Sequence, residues 1–175
     1  MTYSQDHIAE APLRSGSSKY RIPVIAGVAL GAILFQLYVP RIIRLLDYLE
    51  LPLLVTLYFP LMRRSPFSGM FMGAGIGLVQ DALSNNPLGM FGIAKTLIGY
   101  VAGSISQRFD DTNNWVRLTL AFFVYLFHQV LYWAMRRALR GEIIDLNWER
   151  TLVEAVLNAL VAVPFFSLLD RLRLN

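Results

Sequence analysis

Residues 77–89, "GLVQDALSNNPLG", decide how the chain is read. Asp81 ends an apolar, glycine-studded run, and two asparagines, Pro87 and Gly89 follow within a few positions. A carboxylate surrounded by hydrocarbon is costly, so it is expected to face protein or trapped water and to have a partner. The Asn, Pro and Gly cluster carries the chemistry of a tight turn. The segment therefore reads as the end of one membrane helix, a turn, and the start of the next, with a buried charge at the join.

Apolar runs continue on both sides. They fall at residues 22–39, 51–62, 66–83, 88–106, 115–135 and 151–169. Hydrophobic residues make up 55% of the 175, with a mean hydropathy of +0.48, which points to a membrane protein. The expected fold class is all-α: a polytopic membrane protein forming one compact bundle of about six transmembrane helices. Residues 1–21 are polar and read as a mobile N-terminal tail, leaving 22–175 as a single transmembrane domain. The run 51–62 spans only about 18 Å, so it must borrow neighbouring residues or lie in a thinned or protein-covered place. The link "RIIRLLDYLE" (41–50) has Arg41, Arg44, Asp47 and Glu50 at every third position, which predicts a surface-lying helix with one wet stripe. The link 136–150, with four arginines and three acids, is expected at the interface too.

The net charge of +4 reports topology and contact with anionic lipid, not nucleic acid. With the N-terminus inside, the inner segments hold nine cationic residues: Arg14, Lys19, Arg21, Arg63, Arg64, Arg108, Arg117, Arg171 and Arg173. The outer links hold six: Arg41, Arg44, Arg136, Arg137, Arg140 and Arg150. The bias places both termini in the cytoplasm, with the fifth link dissenting.

Gly69, Gly73 and Gly77 recur every four residues in the third helix, and Gly99 and Gly103 in the fourth. Such spacing lets backbones approach closely. Gly27 and Gly31 repeat the pattern in the first helix. Packing inside the bundle is the expected use, and the same small faces suit a homodimer or a partner's transmembrane helix. On the N-in topology the intramembrane polar residues Gln36, Asp81, Lys95, His128, Gln129, Glu154 and Asn158 all lie toward the outer side. An Asp81–Lys95 ion pair fixing helix register is expected, with Arg150 or Lys95 as partner to Glu154 and His128 as an interhelical donor. The cluster serves structure, or else a ligand or partner. Pro87 and Gly89 shape the turn.

No catalytic constellation stands out: there is no nucleophile with a base, no metal-ligand spacing and no phosphate loop. The chain has no cysteine and two histidines, so disulfides and thiolate sites are excluded and no metal or cofactor is expected. "GMFMGAGIG" lacks the strand and acidic partner of a dinucleotide fingerprint.

Residues 49–103 carry a more specific signal. A short apolar helix ends in Arg63 and Arg64. A glycine-rich helix closes on G-x-x-x-D, Gly77 to Asp81. A P-L-G turn follows at Pro87–Gly89, and then L-x-G-Y-x-A-G at Leu97–Gly103. This pattern resembles the MreD family of rod shape-determining proteins. The resemblance implies a non-enzymatic scaffold in the bacterial inner membrane that binds MreC and acts in peptidoglycan synthesis. Its other implied partners are the MreB filament, a RodA-like glycosyltransferase, a class B penicillin-binding protein and membrane lipids. The family's six-helix arrangement is similar to the substrate-binding subunits of energy-coupling-factor transporters, so the alternative is a small-solute-binding transporter subunit.

Overall fold

The computed structural model describes residues 21–84, 87–108, 113–141 and 147–172. The tail expected over residues 1–21 lies outside these except for Arg21. Six α-helices follow one another: α1 (Ile22–Ile42), α2 (Leu51–Arg63), α3 (Pro66–Leu83), α4 (Met90–Ile105), α5 (Asn114–Arg140) and α6 (Trp148–Asp170). A short 3-10 helix, Arg44–Tyr48, links α1 to α2. There is no strand among the described residues. Helices α1, α5 and α6 are each long and apolar enough to cross a membrane. Helix α3 has the length, but its glycines and its Gln80–Asp81 end dilute its hydropathy.

Helix starts follow local chemistry. Pro66 sits in the first turn of α3, where its missing N–H costs nothing, and the Ser65 hydroxyl accepts from the Ser68 N–H. Asn113 and Asn147 cap α5 and α6 in the same way. Gly141, at φ +65°, ends α5 in the left-handed conformation that glycine adopts freely.

Helix α2 is the axis of the bundle. Every residue from Pro52 to Met62 is buried, and α2 packs against all five other helices. Tyr58 stacks edge-on against Phe59 and tilts against Phe166 of α6, with ring centroids 5.3 and 5.2 Å apart. This accounts for a span of only 13 residues. A helix wrapped by protein need not match the hydrocarbon thickness.

The most extensive contact joins α3 to α4. Gly69 lies against the Gly99 carbonyl, Gly73 against the backbone of Lys95 and Thr96, and Gly77 against Phe91 and Gly92. Gly103 abuts Ser65 and Pro66. At each of these positions a Cβ would collide with backbone, which cannot swing aside. The first helix behaves differently. It buries Ile25, Ala29, Ala32 and Ile33, so Gly27 and Gly31 fall on the opposite side and meet open space. Their expected use inside the bundle is not what the fold makes of them.

The link 41–50 also departs from expectation. α1 continues through Pro40 to Ile42, the chain turns extended at Ile43, and only Arg44–Tyr48 stays helical. Asn158 of α6 supplies the reason. Its side chain donates to the Tyr48 carbonyl at 2.7 Å and accepts from the Glu50 N–H at 2.8 Å. Tertiary hydrogen bonds replace those a longer helix would make, and Glu50 turns inward. At the same end of the bundle, α5 runs on to Arg140, so the first part of the expected interfacial link is helical.

Gly73→Leu is expected to lower stability by roughly 1–3 kcal/mol or more, since leucine there drives α3 off the α4 backbone. Gly75, with nothing within 4 Å of its Cβ position, is the matched control. Thermal unfolding in detergent should show a fall for Gly73→Leu and little change for Gly75→Leu.

Candidate functional site: a buried polar belt

Asp81 is buried, 1% exposed, at the last turn of α3. Its Oδ2 accepts from the Gly89 and Gly92 N–H groups at 2.9 and 3.0 Å, and its Oδ1 from Phe91 at 3.0 Å. The first N–H groups of a helix have no intrahelical acceptor, and the helix end carries partial positive charge. Asp81 therefore caps α4 from the neighbouring helix. Gly89 holds φ +101°, a conformation that glycine adopts freely, and the Pro87 carbonyl accepts from Met90.

The expected Asp81–Lys95 pair gives way to another. Lys95, fully buried on α4, brings its Nζ to 4.0 Å from Glu50 Oε2. That ammonium also sits 4.7 Å from the centre of the Phe91 ring, a cation–π contact. The reason for the exchange is competition. Asp81 already has three backbone donors within hydrogen-bond reach, while the inward turn at Glu50 delivers a second carboxylate to Lys95.

Glu154 is the hub of the belt. One oxygen accepts from Arg150 Nε at 2.7 Å. The other accepts from the Tyr125 hydroxyl at 2.7 Å and from Gln129 at 3.4 Å. One turn along α6, Asn158 donates to the Glu154 carbonyl at 2.8 Å as well as holding the 48–50 link. His128, 1% exposed, is the third ring in a near-parallel stack with Phe91 and Tyr132. Neither of its ring nitrogens has a hydrogen-bond partner among the described residues, so the expected interhelical donor is a stacking ring.

Two members of the belt carry no mark in the sequence. Glu50 has the spacing of a wet stripe, and Tyr125 lies among the aromatic residues of α5. A second polar knot stands at the opposite end of α6. There the Asp170 carboxylate accepts from Arg117 Nη1 and from the Tyr58 hydroxyl, both at 2.7 Å. Tyr58 lies in an unbroken apolar run, and nothing in its spacing marked it.

In chemical terms the belt positions helices. Glu154, Asn158 and Asp81 spend their hydrogen-bonding capacity on the protein itself. Among the described residues no group of three or more His, Asp or Glu side chains is arranged to hold a metal.

The profile of rod shape-determining protein MreD matches residues 18–172, nearly the whole chain. The chain belongs to the MreD family. Its role is thereby one in rod-shape determination, and its apolar helices make it a membrane protein. No curated protein and no solved structure matches the chain. For this MreD-family chain, the 49–103 signature maps onto one structural unit: α2, the α3–α4 glycine contact and the Asp81 cap.

Double-mutant cycles distinguish the two carboxylates. Lys95→Ala alone leaves Glu50 uncompensated, at a cost of roughly 3–5 kcal/mol. Pairing it with Glu50→Ala should recover a large part of that cost, whereas pairing it with Asp81→Ala should give losses much closer to additive. Asp81→Asn, which keeps one acceptor for the α4 N–H groups, should destabilise less than Asp81→Ala. Thermal unfolding of the purified variants reads all of these.

Proposed function

We propose that this chain is a non-enzymatic scaffold of the bacterial cell-wall elongation machinery. In this reading it crosses the inner membrane six times with both termini in the cytoplasm. It binds an MreC-type protein and links MreB to a RodA-like glycosyltransferase and a class B penicillin-binding protein. The observation that carries the reading is the family match over residues 18–172. The nine-to-six distribution of cationic residues supports the orientation.

The surface adds support for a helical partner. An apolar groove of about 660 Å³ runs between α1 and α3, lined among others by Ala26, Leu30, Phe71 and Gly75. Gly75 of α3, in the groove wall, leaves open space beside its backbone, and Ala26 and Ala29 keep the α1 wall small. Within lipid, helix association rests on such close packing of small residues. A single transmembrane helix of the MreC-type partner fits that chemistry. Solute binding finds less support, because Glu154 and Asn158 are committed to neighbouring side chains and backbone.

Depleting the protein in its rod-shaped host should give rounded cells, and mild-detergent purification should recover the MreC-type partner. Gly75→Leu, which fills the groove, should reduce that recovery while leaving thermal stability nearly unchanged. Preserved rod shape after complete loss, with no second copy of the gene, overturns the scaffold reading. Full partner recovery with Gly75→Leu removes only the α1–α3 docking face.

A further inference from the structure

A second cleft, of about 520 Å³, opens where α1 ends and α6 begins. Gln36, Arg41, Arg44, Asp47, Tyr48 and Arg150 line it, together with the apolar Leu37 and Pro40. Three guanidinium groups thus face one carboxylate. Arg150 is held in place by its bond to Glu154 and by stacking over Tyr48, 5.4 Å from the ring centre. Arg41 lies over Tyr38 at 5.6 Å. Neither Arg41 nor Arg44 forms an ion pair among the described residues, and both are exposed. The Gln36 side-chain oxygen is buried without a hydrogen-bond partner.

The surroundings set the depth of the cleft. Tyr38, 59% exposed, carries Arg41 over its ring, and Trp148, 56% exposed, starts α6 two residues before Arg150; such amphipathic rings collect at the membrane–water boundary. Below them Leu34 of α1 presents apolar surface. A ligand suited to both levels has an anionic head and a hydrocarbon tail. Guanidinium groups match phosphate oxygens in pairs, and several together favour phosphate over a lone carboxylate. The distribution of charge points the same way. Arg41, Arg44 and Arg150 are half of the six cationic residues that run against the positive-inside bias. A role in binding anions accounts for cations at that surface.

We propose that this cleft binds the phosphate headgroup of an anionic lipid, with the tail lying along the exposed face of α1. The shared chemistry is a lipid phosphate, carried either by the phosphodiester of a bulk phospholipid or by the diphosphate of a polyprenyl carrier. The Arg150–Glu154–Tyr125 bonds tie the cleft to the buried belt. The site is independent of the α1–α3 groove and of any protein partner.

The test is native mass spectrometry of the delipidated full-length protein. It is titrated separately with phosphatidylglycerol, zwitterionic phosphatidylethanolamine and a polyprenyl diphosphate. Phosphatidylglycerol, the polyprenyl diphosphate or both should be retained over phosphatidylethanolamine. Removing Arg41 and Arg44 in R41Q/R44Q should cut that retention by about fivefold per arginine. Arg150 stays unchanged because it also holds Glu154. R108Q, at an exposed arginine beyond α4, is the control and should retain lipid as the parent does. Thermal unfolding of R41Q/R44Q should stay close to the parent, since both residues are exposed and neither forms an ion pair among the described residues. Preference for phosphatidylglycerol assigns the site to bulk lipid, and preference for the diphosphate assigns it to the carrier. Equal retention of the zwitterionic lipid, unchanged binding by R41Q/R44Q, or an equal loss in R108Q overturns the site.

Discussion

The carboxylate of Asp81 is the constraint around which the bundle is arranged. It lies where α3 stops, it is buried, and it takes the N–H groups of Gly89, Phe91 and Gly92 at the start of α4. A negative charge in an apolar interior is tolerated when hydrogen-bond donors surround it, and the end of a helix supplies both donors and partial positive charge. One residue thus solves two problems at once. It satisfies the N–H groups that α4 leaves unpaired, and it fixes the angle at which α4 returns along α3.

The glycines make that return possible. With the turn set by Asp81, α4 runs down α3 with Gly69, Gly73 and Gly77 against its backbone, and Gly99 and Gly103 answering from the other side. No hydrophobic effect presses helices together inside a bilayer, so close van der Waals contact takes its place. The tight α3–α4 pair then forms one wall around α2, which is buried along nearly its whole length. The brevity of α2 and the closeness of α3 to α4 are two sides of one arrangement. A helix at the centre is bounded by protein, and only its neighbours have to match the lipid.

Ionic groups enter this frame where backbone turns inward. Asn158 bends the 48–50 link toward the core, which carries Glu50 to Lys95. Glu154 accepts from Tyr125 and Gln129 of α5 and so holds α5 against α6. The same α6 start leaves Arg150 beside Arg41 and Arg44 at the surface. A polar interior and a basic cleft therefore share one scaffold, joined through Glu154.

Sequence by itself determined the number, order and approximate limits of the helices, because apolar run length and Pro, Gly and Asn punctuation are local properties. It also marked the α3 and α4 glycines, the turn at Pro87–Gly89 and the buried polar residues, since each is conspicuous in an apolar setting. The tertiary structure decided who pairs with whom. Asp81 found backbone donors instead of Lys95, and backbone N–H groups carry no signature in a list of side chains. Glu50 left its wet stripe because Asn158, 108 positions away, competes for the hydrogen bonds of the link. Gly27 and Gly31 have the spacing of Gly69 and Gly73, yet only the latter two meet a neighbouring helix. Spacing places residues on one face of a helix, and only the packed bundle decides what that face meets.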